Sequence, residues 1–290
     1  MLFPMLFMAA IFSTATIFFR GEIFLGRIAQ DIEWAEFLIA GSIFMQSISA
    51  NLNVMIKAAE KASRALIRDF GEIEKLQVSI KGPTDFVSNA DLKAEKIIIE
   101  ELKKARPYYS IISEEDGSET NKDKEHTWII DPIDGTTNFL HGIPHFAISI
   151  ALKSGDEIVS GLIYDPIKDE MFYAEKNNGA FFNNHRIRVS KKTQINECLF
   201  VTGGKIKKHL DIQYRKSGSA ALDIAYVAAG RFDGYFQREL NIWDIAAGII
   251  LIKEAGGIIN DIDLSQSKNL DVITSSPDIN HKMMEKINNF

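Results

Sequence analysis

The stretch that most constrains this chain is WIIDPIDGTTNF, residues 128–139, in which an apolar strand-like run leads directly into two aspartates. Asp131 and Asp134 lie three positions apart, with Pro132 between them and a glycine after them. Neighbouring carboxylates at the end of a buried strand repel each other, which raises a pKa unless something positive faces them. The stretch therefore predicts an irregular turn that aims both carboxylates, and the carbonyl of Ile133, at one cation.

The ligand atoms of this turn favour a divalent metal beside a phosphate. Oxygen ligands suit a hard cation such as Mg²⁺, which binds through a few carboxylates and keeps water and substrate phosphate in its other positions. If Gly135, Thr136 and Thr137 open a helix or a nest of backbone N–H groups, those donors can hold a phosphate next to the metal. The alternative is that Asp131 and Asp134 are solvated turn residues, because aspartate readily starts turns.

Three further acidic positions are candidates for the same site. Glu114 follows the apolar run at the start of SIISEED, but Glu-Glu-Asp is also common in solvated loops. Asp244 stands at the start of a predicted helix, where an ordinary capping role is the alternative. Asp85 lies in a Gly-Pro loop, where turn formation is the alternative. On the residues alone both interpretations of each position stay open.

Composition narrows the class of protein. A chain of 290 residues that is 46% hydrophobic can bury the core of one large domain or two closely packed halves. The formal net charge of -6 argues against nucleic-acid binding, which needs a clustered basic surface. The single cysteine, Cys198, excludes an internal disulfide and a cysteine-based zinc site, and its apolar neighbours predict a buried, inert thiol. A reducing cytoplasm fits this cysteine usage.

The N-terminal segment differs from the rest of the chain. It is apolar almost continuously up to Arg20, close to the roughly 17 to 25 residues that span a bilayer, but it lacks the basic region and cleavage site of a secretory signal. We predict that residues 1–44 are an extension outside the fold, with a membrane anchor as the alternative. We predict that residues 45–290 form one catalytic domain.

Periodicity indicates a layered α/β protein. A first helix begins after Met45 and a second follows Ser88, each with an apolar stripe at helical spacing. Short β-rich runs separated by Gly, Asp, Asn and Pro then indicate a largely antiparallel meander. The segments SAALDIAYVAAG and WDIAAGIILIKEAGG predict two more helices that end at glycine. Helices therefore flank a strand-rich middle.

Two long segments resemble signatures of the inositol monophosphatase family, specifically its bacterial extragenic-suppressor branch. WIIDPIDGTTNFLHGIPHFAISIAL resembles the first signature and WDIAAGIILIKEAGG the second, while SEED and PTDFVSNAD stand where the remaining acidic motifs stand. The resemblance covers about residues 50–275 and leaves residues 1–44 unmatched. It implies the family's αβαβα five-layered sandwich, usually assembled as a homodimer.

The resemblance also implies a metal-ligand set. One Mg²⁺ would be bound by Glu114, Asp131 and the carbonyl of Ile133. A second would be bound by Asp131, Asp134 and Asp244. A third, weaker ion would share Glu114. Paired metals of this kind sharpen an attacking water and stabilise the leaving oxygen.

Catalytic and substrate roles follow from the same resemblance. Thr136, oriented by Asp85, would help to position and deprotonate the metal-activated water that attacks phosphorus, and Glu114 would take part through its metal. Phosphate and substrate contacts are implied at Gly135, Thr136, Gly218, Ser219 and Ala220. At the position of a family glutamate that contacts substrate hydroxyls, this chain has Gln237, which can hydrogen-bond a diol but brings no charge.

Three functions are compared. The first is a Mg²⁺-dependent phosphatase of a small phosphate monoester, with myo-inositol 1-phosphate ahead of relatives such as fructose bisphosphate and phosphoadenosine phosphate. The alternative is a regulatory protein that binds RNA or the transcription machinery, with incidental phosphatase activity, and it requires a basic patch that the acidic balance does not favour. A membrane-anchored structural protein would require residues 1–19 to insert into the bilayer. The first function is therefore the expectation, with neither nucleic acid nor membrane as a partner.

Overall fold

The computed structural model describes residues 48–72, 78–82, 85–206 and 210–287. The predicted extension, residues 1–44, lies outside these ranges, so its separation from the fold stays a prediction. Among the described residues, no helix combines the length and the apolar character needed to cross a membrane.

The described residues contain six α-helices and three β-sheets. The helices are α1 Ala50–Phe70, α2 Asn89–Ala105, α3 Thr136–Leu140, α4 Ala220–Ala228, α5 Ile242–Glu254 and α6 Asn280–Ile287. An antiparallel hairpin consists of β1 Val78–Gly82 and β2 Asp85–Ser88. All four helices predicted from periodicity are present.

The largest sheet is the predicted meander. Its strands are β3 Ser110–Ser113, β4 Gly117–Glu119, β5 His126–Asp134, β6 Ala147–Ser154, β7 Glu157–Asp165, β8 Glu170–Glu175, β9 Gly179–Phe182 and β10 His185–Arg186. Their spatial order is β10-β9-β8-β7-β6-β5-β3-β4. Strands β5 to β10 pair with their chain neighbours in antiparallel fashion, whereas β3 lies parallel to β5. After the antiparallel β3–β4 pair at the sheet edge, the chain crosses back to the other side of β3. Strand β5 therefore runs parallel to β3, and this is the one parallel pair among the described strands of the sheet.

The second large sheet has five short strands. They are β11 Leu199–Val201, β12 Gln213–Arg215, β13 Gly234–Leu240, β14 Ile258–Ile259 and β15 Leu270–Ser275. Their spatial order is β12-β11-β13-β15-β14, and β11 lies parallel to both of its neighbours. Parallel pairs need crossover connections, and α4 lies in the connection from β12 to β13.

Alternation along β5 shows how one strand serves two hydrophobic cores. Trp128 and Ile130 are buried on the face covered by α1 and α2, whereas Ile129 is buried on the opposite face, against α4 and α5. Strand side chains point alternately to the two faces of a sheet, so a continuous apolar run is what a strand covered on both sides requires. The apolar run before the two aspartates therefore belongs to a fully buried central strand.

Five layers result from this packing. Helices α1 and α2 cover one face of the eight-stranded sheet, α4 and α5 lie between the two sheets, and α6 covers the outer face of the five-stranded sheet. In the outermost layer Met283 of α6 packs with Phe200 and Phe236. Burying an apolar side chain of this size stabilises the fold by about 1.5–3 kcal/mol. The predicted αβαβα sandwich is confirmed.

Candidate metal centre

The end of β5 turns both predicted aspartates out of the regular ladder. Asp131 pairs with Ser149 of β6 and Asp134 with Ala147, so the register shifts between them. Inside this irregularity the backbone N–H of Ile133 donates to Oδ1 of Asp131 at 2.9 Å. Both carboxylates are buried. The predicted irregular turn is therefore present, and its extra residues change the direction in which the side chains point.

The next residue, Gly135, is in the left-handed region with φ 99° and begins the short helix α3. A Cβ atom there would lie 3.2 Å from the carbonyl oxygen of His145 and 3.3 Å from that of Gly218, so both conformation and space favour glycine. The hydroxyl of Thr136 donates to the carbonyl oxygen of Ile133 at 2.9 Å. Thr136 is thus in direct contact with the backbone carbonyl that the resemblance implies as a metal ligand, while the catalytic role of Thr136 stays a prediction.

Three carboxylates meet at this turn. Asp131, Asp134 and Asp244 each offer one oxygen atom, and these atoms lie within 4.8 Å of one another. Asp244 is the third residue of α5, and its Oδ2 accepts the backbone N–H of Asn241 at 2.8 Å. The N-cap of α5 is Asn241, so Asp244 is not the N-cap residue; it completes a capping box with one oxygen while its side chain faces the other two acids.

Asp134 is also the acceptor for the start of α4. Its carboxylate accepts the hydroxyl of Ser219, the backbone N–H of Ala220 at 3.2 Å and that of Ala221 at 2.9 Å. The family resemblance implies that Ser219 and Ala220 contact the substrate. In this structure the hydroxyl of Ser219 and the backbone N–H of Ala220 donate to Asp134. The segment that is predicted to contact the substrate therefore lies next to the acidic cluster.

Electrostatic repulsion is strong in this cluster. Burial, and then the charges of Glu114 and Asp134, raise the pKa of Asp131 well above its usual range. Burial raises the pKa of Asp134 to about 6, against the lowering effect of its donors from Ser219, Ala221 and Ala220. The site therefore holds more negative charge than its surroundings neutralise.

Glu114, the residue that follows β3, adds a further carboxylate to the electrostatics of this cluster. Burial, followed by the charges of Asp244 and Asp91, raises the pKa of Glu114 to about 9. Glu114 is not one of the three carboxylates whose oxygen atoms lie within 4.8 Å of one another. Its charge nevertheless couples to theirs, so the second acidic motif faces the same centre.

The donor set fits a hard divalent cation. The three clustered groups are all carboxylates, and among the described residues no lysine or arginine forms an ion pair with Asp131 or Asp134. Carboxylate oxygens favour Mg²⁺, Ca²⁺ or Mn²⁺ over metals that prefer sulfur or imidazole ligands. A bound cation would replace the mutual repulsion of these acids by attraction.

The remaining predicted residues lie around this centre in different ways. Gln237 lies on β13, where its Oε1 accepts the hydroxyl of buried Tyr235 at 2.9 Å, and it borders the turn at Gly203. Gly218 has φ 91° and leads into α4. Asp85 begins β2, a strand close to α3, but its side chain lies outside the described part of the structure. Its orienting role stays a prediction.

Asp91 is a buried acid in the first turn of α2, and it is not among the site residues predicted from the sequence. Its charge contributes to the raised pKa of both Glu114 and Asp131. The signal that could have identified it is its register, because Asp91 precedes Ala94 and Ile98 by three and seven positions and so falls on the buried stripe. An acid in that stripe needs a compensating partner or function.

Comparisons with known proteins agree with this geometry. The profile of the Inositol monophosphatase family matches residues 48–289. The chain is 50% identical over 230 residues to the inositol-1-monophosphatase of Rhizobium meliloti, covering 74% of this chain and 86% of the relative. It is 38% identical over 253 residues to the Nus factor SuhB of Pasteurella multocida, covering 81% and 95%.

A solved structure extends the similarity to three dimensions. The crystal structure of the extragenic suppressor protein suhB from Bartonella henselae matches with a TM-score of 0.77 and 46% sequence identity. The match covers 83% of this chain and 99% of the solved chain. The similarity therefore extends across the described layers and both signature segments.

Proposed function

The chain belongs to the inositol monophosphatase family and is a phosphatase, and from that premise we propose that it hydrolyses a small phosphate monoester with Mg²⁺, in the first place myo-inositol 1-phosphate. The observation that carries the proposal is the meeting of the buried Asp131 and Asp134 with the half-buried Asp244, whose oxygen atoms lie within 4.8 Å of one another. Like charges at this separation destabilise the fold unless a cation joins them. The name of the Rhizobium meliloti relative supports the substrate.

The acidic residues would hold two Mg²⁺ ions, and a third more weakly. In the proposed arrangement the first ion would be held by Glu114, Asp131 and the carbonyl of Ile133. The second would be held by Asp131, Asp134 and Asp244. When bound, the ions supply Lewis acidity that activates water and stabilises the departing alkoxide oxygen.

The surrounding residues would orient the reactants. Thr136 would accept a proton from the attacking water at its hydroxyl oxygen and would pass its own hydroxyl proton to the carboxylate of Asp85. The backbone N–H groups after Gly135 would face the phosphate. On the leaving-group side, Gln237 would hydrogen-bond the polyol beside the loop that contains Gly218. The 2.9 Å bond from Tyr235 to Gln237 supports a fixed orientation for that amide.

A phosphate-ester panel tests the proposal. The purified full-length chain should hydrolyse inositol 1-phosphate in Mg²⁺, lose the activity in chelator and regain it when Mg²⁺ is restored. Fructose bisphosphate and phosphoadenosine phosphate are the comparison substrates. Absence of metal-dependent phosphate release from every ester in the panel would contradict the assignment, and preference for another ester would correct the substrate.

A regulatory role is the second candidate, because the Pasteurella multocida relative is named a Nus factor. In that case the chain would bind RNA or the transcription machinery and its phosphatase activity would be incidental. The net charge of -6 favours a protein partner over RNA in such a role. Co-purification of RNA polymerase with the inactive Asp131→Asn variant would support it, and loss of binding at physiological salt would count against it.

We also propose a cytoplasmic homodimer. The single cysteine is buried, and burial raises its pKa to about 11, which fits a thiol that takes no part in redox chemistry in a reducing cytoplasm.

Light scattering tests the homodimer, because the purified chain should give twice the monomer mass. A monomer mass at micromolar concentration would remove the dimer from the proposal.

A further inference from the structure

The loop of residues 217–219 connects β12 to α4 and lies directly beside the acidic turn. Two side chains from other elements hold its first residue. Nδ2 of Asn138, in α3, donates to the carbonyl oxygen of Ser217 at 2.9 Å, and the hydroxyl of Ser217 donates to Oδ1 of Asp223 in α4. Ser217 is thus held through its backbone and its side chain at once.

Both holding residues are buried. Asn138 is 7% exposed and Asp223 is 1% exposed. The second amide hydrogen of Asn138 donates to the carbonyl oxygen of His145 at 2.8 Å, so the amide joins two chain segments. Oδ2 of Asp223 has no hydrogen-bond partner among the described residues, so the bond from Ser217 is the hydrogen bond that its side chain makes there. Buried bonds of this kind are expensive to lose.

The fit of Gly218 shows how closely the loop and α3 approach each other. A Cβ atom on Gly218 would lie 2.9 Å from Nδ2 of Asn138, and its φ of 91° already favours glycine. From the other side, a Cβ atom on Gly135 would lie 3.3 Å from the carbonyl oxygen of Gly218. Two left-handed glycine turns, one in the acidic turn and one in the loop, therefore pack against each other without space between them.

The residues that follow Gly218 are the donors to Asp134. In this loop conformation the hydroxyl of Ser219 and the backbone N–H groups of Ala220 and Ala221 donate to its carboxylate. We propose that Asn138 and Asp223 are positioning residues that hold Ser217 from two sides and thereby keep these donors on Asp134. The inference rests on the proposed function for its catalytic consequence, because there Asp134 binds metal and the loop contacts substrate.

Hydrogen exchange measured on the full-length chain tests the positioning directly. Asn138→Ala should accelerate exchange at the amides of Ala220 and Ala221 by about tenfold or more, because the loop would no longer hold these donors against the carboxylate of Asp134. In the same variant kcat/KM for inositol 1-phosphate should fall by about tenfold or more at saturating Mg²⁺. Asp223→Leu should act similarly, and Asp223→Asn, which retains an acceptor for Ser217, should recover most of the loss.

Asn183 offers a matched control at the far edge of the large sheet. Its Nδ2 donates to the carbonyl oxygen of Asp169 at 2.9 Å and its Oδ1 accepts the N–H of Met171 at 2.8 Å, so it too joins backbone segments. Asn183→Ala should lower the thermal midpoint without changing exchange at Ala220 or kcat/KM. If Asn138→Ala behaves like this control, the proposal is wrong.

Two further outcomes keep the proposals separate. If Asn138→Ala does not fold, Ser217→Ala, which removes only one hydroxyl, should accelerate exchange at Ala220 and Ala221 by a smaller factor, and unchanged exchange would overturn the inference. If the wild-type chain hydrolyses no ester, the proposed function fails, while the exchange rates still decide whether Asn138 holds the loop.

Discussion

Two groups of acids among the described residues differ in what faces them. In the first group the chain itself supplies the compensating donors. Asp165 forms an ion pair with Lys168, and Asp233 forms one with Lys192 at 2.9 Å. Each of these acids is compensated within the fold.

The second group is the acidic cluster, where Asp131, Asp134 and Asp244 face one another. The hydrogen bonds to Asp131 and Asp134 come from backbone N–H groups and a serine hydroxyl, which orient these two carboxylates without adding a full positive charge. Bringing like charges together lowers the free energy of unfolding, and a bound cation would raise it again. Asp165 and Asp233 are thus paired with lysines of the chain, whereas among the described residues no lysine or arginine forms an ion pair with Asp131 or Asp134, which suits an external cation.

The largest expected effect separates the two groups by activity. Asp131→Asn should lower kcat by about three orders of magnitude or more, because this residue would bridge two ions whose Lewis acidity contributes several kcal/mol. Steady-state kinetics over a Mg²⁺ titration provides the measurement. Turnover close to wild type at saturating Mg²⁺ would contradict the two-metal assignment.

Asp165→Asn is the matched control from the first group. It removes the charge that pairs with Lys168 but keeps an acceptor for the neighbouring N–H groups. The thermal midpoint should fall, corresponding to about 1–3 kcal/mol, while kcat stays within about twofold. A large loss of activity in a stable Asp165→Asn protein would show that the two groups are not functionally separate.

The second prediction concerns pH and metal removal. Burial and like charges raise the pKa of Glu114 to about 9 and burial raises that of Asp134 to about 6, from ordinary values of 4.5 and 3.8. Between the ordinary and the raised values the folded chain binds more protons than the unfolded chain, so stability falls as pH rises. In chelator the free energy of unfolding should therefore decrease from about pH 5 to about pH 9.

Mg²⁺ should reverse this trend, because the ion competes with protons for the same carboxylates. The increase in thermal midpoint on adding Mg²⁺ should be larger at pH 8.5 than at pH 5.5, as measured by calorimetry in matched buffers. Asp131→Asn should flatten the slope in chelator. An equal Mg²⁺ effect at both pH values would contradict a cluster whose repulsion is relieved by metal.

A smaller effect is expected on the substrate side. Gln237→Glu adds an acid whose hydrogen-bond donor, the hydroxyl of Tyr235, is already in place at 2.9 Å from Oε1. One charge-assisted hydrogen bond to the polyol should improve kcat/KM for inositol 1-phosphate by up to about tenfold. Exposed Gln213 on β12 provides the control, since Gln213→Glu changes the net charge equally. If kcat/KM for inositol 1-phosphate stays the same or falls while another ester is favoured, the assignment of inositol 1-phosphate as the substrate is weakened.

The smallest effect is expected from shortening the N-terminus. A chain that begins at Met45 should keep its thermal midpoint and specific activity, because it retains Ser49, whose N–H donates to Glu175 and whose hydroxyl caps α1. A chain that begins at Ala50 loses that cap and should lose about 1 kcal/mol of stability. Thermal melts of the two truncations next to the full-length chain make the comparison.

Two outcomes would change this view of residues 1–44. Failure of the Met45 chain to fold would show that Phe3 to Phe19 pack against the catalytic domain. Resistance of the full-length chain to carbonate extraction, with loss of that resistance in the Met45 chain, would identify a membrane anchor. Improved solubility of the Met45 chain would support an extension that exposes an apolar surface.

Local patterns predicted much of the fold. The apolar stripe of α1 and the continuous apolar run of β5 follow from periodicities of 3.6 and 2, so element type and buried faces could be read directly. The layer order and the ligand set came with the family resemblance, because the pairing of strands far apart in the chain leaves no local signal. Sheet order beyond the meander, including the parallel pair of β3 and β5, appears only in the structure.

Within the site, the sequence by itself determined which residue types stand at the turn: Asp131 and Asp134 spaced by Pro132, with glycine to permit the left-handed backbone that follows. Only the tertiary structure decided what surrounds them. It brought the start of α4 onto Asp134 across more than 80 positions, and it joined Asn138 to Ser217. The physical reason is that a carboxylate's chemistry depends on burial, donors and charges within a few ångströms, and those neighbours come from elements that meet only when the layers pack.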